Sequence, residues 1–96
     1  MESDENINQK FITLCSKGDI ENITKILERV DINTADYDKR SGLHLAAAEG
    51  HAETVKLLLE KNANLTKDRW GNTPLSEVTN KEGEQFEMIR KLLTKE

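Results

Sequence analysis

The sequence predicts an all-α solenoid of three stacked helix-turn-helix units joined by short hairpin-like connectors. Three observations carry that prediction. The chain repeats itself at a separation of 32 residues: Gly18 with Gly50, Glu21 with Glu53, Ile23 with Val55, Ile26 with Leu58, Leu27 with Leu59, and Glu28 with Glu60. A sustained self-match at such a period marks a repeat array. Within each copy the apolar residues recur at helical, not alternating, spacing. One tryptophan, one tyrosine, two phenylalanines and one proline are few for a β-rich protein.

The first unit starts after Met1-Glu-Ser-Asp-Glu5, a polar acidic segment expected to be a flexible N-terminus. Phe11, Leu14 and Cys15 share one helical face, and Ile7 extends it by a turn. Gly18-Asp19 makes a turn. Ile20, Ile23, Ile26 and Leu27 form a second stripe, and the segment from Val30 to Asp36 is an extended connector. The central unit is the clearest. Ser41 is placed to accept a first-turn amide as an N-cap. Leu43, Leu45, Ala46 and Ala47 supply the first helix's apolar face, with small residues that permit close backbone approach. Gly50 ends that helix, and Val55, Leu57, Leu58 and Leu59 carry the second. In the third unit Thr73 is the N-cap and Pro74 takes the first helical position, where a missing N–H costs nothing. Leu75 and Val78 make a short helix. A polar break over Thr79–Glu84 is one or two residues longer than its counterparts, so the turn should bulge. Phe86, Ile89, Leu92 and Leu93 form the last helix. The units are expected at about 6–35, 36–67 and 68–94, in a single domain over 6–94.

Composition narrows the function. Ninety-six residues with a formal charge of -4 make one small acidic domain. That balance argues against nucleic acid or an anionic membrane as the main partner. No apolar run approaches the ~20 residues of a membrane span, and the N-terminus lacks a signal peptide's basic start and apolar core. The single Cys15 excludes an internal disulfide framework and fits a reducing compartment.

With the repeat in hand, Thr73-Pro74-Leu75 and Ser41-Gly42-Leu43-His44-Leu45-Ala46 resemble the Thr-Pro-Leu-His-x-Ala start of an ankyrin repeat. Ala47, Gly50-His51, Glu53, Val55 and Leu57-Leu58-Leu59 are similar to the rest of such a unit. The resemblance covers roughly residues 6–94. It is specific in the centre and weaker in the two end units, which look like capping repeats. The chain departs from the family in three ways. Its period is one residue short of the family's usual length. Lys39 stands where a turn glycine is usual, which should distort that hairpin tip. Ser76 replaces the histidine in the third unit. A finer resemblance joins Asp36-Tyr-Asp-Lys-Arg40, the central histidine-containing stretch, and Lys67-Asp-Arg-Trp-Gly-Asn-Thr-Pro74. These look like the ankyrin segment at the C-terminus of animal-type glutaminases. Segments of some plant kinases and potassium channels are similar. Nothing resembles a glutaminase catalytic domain.

Chemistry-bearing residues favour structural roles. His44 and His51 straddle Gly50 and lack the ligand spacing of a zinc site; the resemblance implies that His44 bonds turn backbone between units. Ser41, His44 and Asp36 or Asp38 lack the nucleophile elbow of a hydrolase. Cys15 matches Ala47 one unit later, so it reads as a small packing residue. Trp70 differs, because it interrupts a polar connector, and Tyr37 occupies the same region one unit earlier. The family's connector tips and first helices line one concave side. Tyr37, Arg40, Glu49, Arg69, Trp70 and Asn72 are therefore the expected partner-binding residues. The expected function is a non-catalytic protein–protein interaction module, without cofactor or metal, cytoplasmic and monomeric unless part of a larger assembly. Its partner is another protein, with no nucleic acid and no membrane insertion. The alternative is an assembly or regulatory appendage of a larger glutaminase-like enzyme or a channel.

Overall fold

Two rows of helices stack side by side in a computed structural model that describes residues 4–94. The inner row is α1 (Asp4–Lys17), α3 (Gly42–Ala48) and α5 (Pro74–Val78); the outer row is α2 (Ile20–Ile26), α4 (Ala52–Glu60) and α6 (Glu84–Thr94). A 3-10 turn, Leu27–Arg29, follows α2. Helix α3 packs against both α1 and α5, and α4 packs against α6. This is the expected three-unit solenoid, a short rod 41 Å long and 21 Å thick. Helix α1 begins at Asp4, inside the segment expected to be a flexible extension; residues 1–3 of that segment lie outside the described residues.

The helices start where the sequence places their caps. The Ser41 hydroxyl accepts from His44 N–H at 3.3 Å, and the His44 ring accepts from Ser41 N–H. Thr73 and Ser76 make the same reciprocal pair, with Pro74 in the first turn of α5. Each box satisfies two amides that a helix N-terminus otherwise leaves open.

The core is continuous through the stack. Phe11, Ile23, Leu43, Leu58 and Ile89 are fully buried, and Cys15, Ala46 and Ala47 let the inner helices approach. At Gly42 the approach is so close that a Cβ would sit 2.7 Å from the Cys15 sulfur. Burial pushes the Cys15 thiol up to about 12, so at neutral pH it is an unionised packing group.

The break after α5, residues 79–83, is two residues longer than the turn at 49–51, and a side chain missed in the sequence closes it. Arg90 reaches back from α6 and donates through Nη1 to the carbonyls of Val78 (2.7 Å) and Lys81 (2.8 Å). The insertion also moves the helical register, so that Ile89 takes the buried place of Val55. Met88 and Leu92 then stand where Thr54 and Leu58 stand one unit earlier. Those two are buried, on the helix that α6 packs against. No further unit follows α6 among the described residues, and Met88 is 52% exposed.

Candidate interaction surface

Two hairpin tips, 36–40 and 68–72, project from the inner row just before α3 and α5. Each is closed by one aspartate. Asp36 Oδ1 accepts from the backbone N–H of Asp38 (2.9 Å) and Arg40 (3.0 Å). Asp68 Oδ1 accepts from Trp70 and Asn72, both at 2.9 Å. The backbone repeats as closely: Asp36 N–H donates to Arg40 and Lys39 N–H to Asp36, as Asp68 does to Asn72 and Gly71 to Asp68. A short acidic side chain folded back onto its own turn suits this role. Burial raises the Asp68 carboxyl. The two backbone donors, with Arg40 nearby, outweigh that and hold it below the usual carboxylate range.

The expected distortion at Lys39 is absent. Lys39 adopts φ 64° and Gly71 adopts φ 84°, so both tips have the same left-handed residue and the same hydrogen bonds. The departure from glycine is absorbed as local backbone strain at Lys39. Lys39→Gly should therefore stabilise the fold by about 1 kcal/mol, a rise of roughly 5 °C in a thermal melt for a domain this small. Gly71→Ala should lose a similar amount, since a Cβ there meets nothing within 4 Å and only the backbone conformation opposes it. A Lys39→Gly melt at or below the parent temperature would show that the strain is not there.

The tips are tied to each other and to the stack. Arg69 N–H donates to the Asp38 carbonyl at 2.9 Å. Arg69 Nη1 also pairs with the Asp38 carboxylate at 3.2 Å, and the same guanidinium lies 5.5 Å from the centre of the Trp70 ring. From below, His44 Nε2 donates to the Asn72 carbonyl at 2.8 Å. A carbonyl only accepts, so the His44 proton resides on Nε2, and Nδ1 is left to accept from Ser41. This is the inter-unit bond that the resemblance implied. His51 makes the corresponding link in the other direction, to the Ser16 carbonyl at 2.8 Å.

Of the six expected binding residues, the tips bring together Tyr37, Arg69, Trp70 and Asn72. Tyr37 is 90% exposed and Trp70 63%. Asn72 is exposed at its side chain while its backbone closes the second tip. Arg40 is turned towards α5, half-buried, with Nη2 3.7 Å from Glu77. Glu49 is the C-cap of α3, so the length of that helix, ~10 Å, separates it from the tips. Sequence reasoning assigned no role to Asp36 and Asp68, or to the Asp38–Arg69 tie. The signal for the first pair was present, because the two aspartates match in the repeat.

A family model described as ankyrin repeats, in three copies, matches residues 11–96. The chain is 45% identical over 76 residues to the potassium channel SKOR of Arabidopsis thaliana, covering 77% of this chain and 9% of that protein. It is 40% identical over 71 residues to serine/threonine-protein kinase 12 of the same plant, covering 72% of this chain and 16% of the kinase. It is 48% identical over 64 residues to the mitochondrial liver isoform of glutaminase from Rattus norvegicus, covering 64% of this chain and 11% of the glutaminase. The chain thus spans between 9% and 16% of the length of these three relatives.

Proposed function

The chain belongs to the ankyrin repeat family, and on that premise we propose that it is a non-catalytic module that binds another protein through its hairpin tips. One observation supports this most: Tyr37 and Trp70 stand out into solvent, 90% and 63% exposed, on tips that the same set of backbone hydrogen bonds closes and a cross-tie joins. Packing does not require an aromatic ring at either place, while tryptophan, tyrosine and arginine dominate interface energies. Rigid presentation lowers the ordering cost of binding. The helices beneath carry no part of a catalytic constellation in this reading; His44, Ser41 and Cys15 serve packing and capping. The cytoplasm suits the unpaired Cys15. A second reading is an assembly or regulatory appendage, motivated by the small share that the chain spans of a channel, a kinase and a glutaminase.

The test is capture of a partner from host lysate, followed by titration calorimetry of variants. Trp70→Ala should weaken binding by about thirtyfold, the equivalent of ~2 kcal/mol for a central interface aromatic, with little loss of thermal stability. Tyr37→Ala and Arg69→Ala should act in the same direction but less. Glu87→Ala, on the exposed face of α6, should leave affinity unchanged. Normal binding by Trp70→Ala together with loss in Glu87→Ala would move the site to the other row.

A further inference from the structure

We infer that the hairpin tips select an acidic peptide segment bearing an aromatic or aliphatic side chain; this rests on the tips being the binding face. The chain as a whole carries a formal charge of -4, which by itself points to a basic partner. The tips run the other way. Lys39, Arg40 and Arg69 in the tips, with Lys67 just before the second, stand against Asp36, Asp38 and Asp68, and Arg40 is paired with Glu77. What matters more is which of these charges are free.

All three carboxylates are already engaged through Oδ1. Asp36 and Asp68 each hold two backbone N–H groups of their own turn, and Asp68 is 6% exposed. Asp38 is taken by Arg69. On the cationic side, Lys39 and Lys67 are exposed and have no ion-pair partner among the described residues. Arg69 offers Asp38 one nitrogen, Nη1, and keeps its other N–H groups for a second acceptor. Inward aspartates and outward lysines therefore give the tips a positive edge on an acidic protein. Lys39 stands two residues from the exposed Tyr37 and Lys67 three from the exposed Trp70, and Arg69 lies beside the Trp70 ring. Such a surface pairs with carboxylates at its rim and an apolar side chain at its centre. A basic segment would meet Lys39, Lys67 and Arg69, and at each carboxylate it would compete with a partner already held through Oδ1. Rim charges of this kind set partner choice and salt dependence.

Trp70 is the chain's single tryptophan, so its fluorescence reads the site directly. The probes are three soluble twelve-residue peptides, each a fourfold-residue motif repeated: Glu-Leu-Asp-Pro, Lys-Leu-Lys-Pro and Glu-Gly-Asp-Pro. The Glu-Leu-Asp-Pro peptide should bind the intact chain, at least tenfold tighter than either other peptide, and weaken as salt is raised from 20 to 300 mM. The double variant K39E/K67E should lose roughly tenfold in affinity while its circular dichroism melt stays near that of the parent, since both lysines are exposed. If the lysine peptide binds as well as the acidic one and shifts Trp70 fluorescence, the tips bind but charge selection is refuted. If the acidic peptide binds with Trp70 fluorescence unmoved and K39E/K67E unaffected, the binding face itself is elsewhere. No binding of the acidic peptide at millimolar concentration also overturns the inference.

Discussion

Leu58→Ala lowers the urea midpoint of the whole chain by about 2 M or more. Leu58 is fully buried on α4, the outer helix of the middle unit. Truncating a buried leucine costs about 2–5 kcal/mol, and the variation follows how well the site can collapse. This site collapses poorly, because α3 and α6 hold α4 from two sides. The total stability of a domain this size is ~5–14 kcal/mol, and its urea slope is about 1 kcal/mol/M. One methyl-bearing side chain thus removes a large share of the stability. The repeat architecture makes the loss global: each unit contacts only its neighbours, so the end units are joined only through the middle one. Leu92 supplies the internal comparison. It holds the matching place on α6 but is half-buried, with no unit beyond it among the described residues. Leu92→Ala should cost less than half as much by far-UV circular dichroism. Equal losses in the two variants would show that stability does not pass through the interfaces of the middle unit.

The difference between these two leucines also shows what a sequence can disclose. Helical spacing and caps were legible because they are local: Ser41, Thr73 and Pro74 announce helix starts by chemistry that needs no neighbour. The repeat then supplied the stacking. Burial of Ile12 was legible in principle, since it matches the buried His44 in register, yet it lies off the stripe drawn through Phe11, Leu14 and Cys15. The Arg90 staple was not legible. The carbonyls it satisfies, Val78 and Lys81, are freed by the longer loop. An arginine on an amphipathic helix otherwise reads as a solvated charge. The tip at Lys39 failed for another reason. Glycine preference is an energy, not a prohibition, and a net of hydrogen bonds accepted by Asp36 outweighs it. The candidate surface was half legible. Tyr37 and Trp70 stand out in any reading of the connectors, but the commitment of each aspartate is visible only once the turns are folded.

His44 is the residue through which the core sets the spacing of those tips, and His44→Ala should cost about 2–4 kcal/mol. The ring is fully buried and bonded at both ends. Nδ1 completes the cap with Ser41, and Nε2 holds the Asn72 carbonyl of the next tip at 2.8 Å. Alanine removes both bonds and the ring volume, and leaves buried polar groups open. The third unit shows how to separate the two contributions. There Ser76 occupies the matching place and closes the cap with Thr73 through a hydroxyl, 2.8 Å from the Thr73 amide. His44→Ser should therefore regain the capping share, about 1 kcal/mol, and leave the inter-unit bond missing. Its remaining deficit measures that bond together with the lost ring packing. Hydrogen exchange gives a second readout. The Arg69 amide donates across the tips to Asp38, so in His44→Ser it should exchange faster than amides within α4. If His44→Ser melts with the parent and Arg69 stays protected, the Asn72 bond contributes nothing. The tips are then held by the Asp38–Arg69 tie alone.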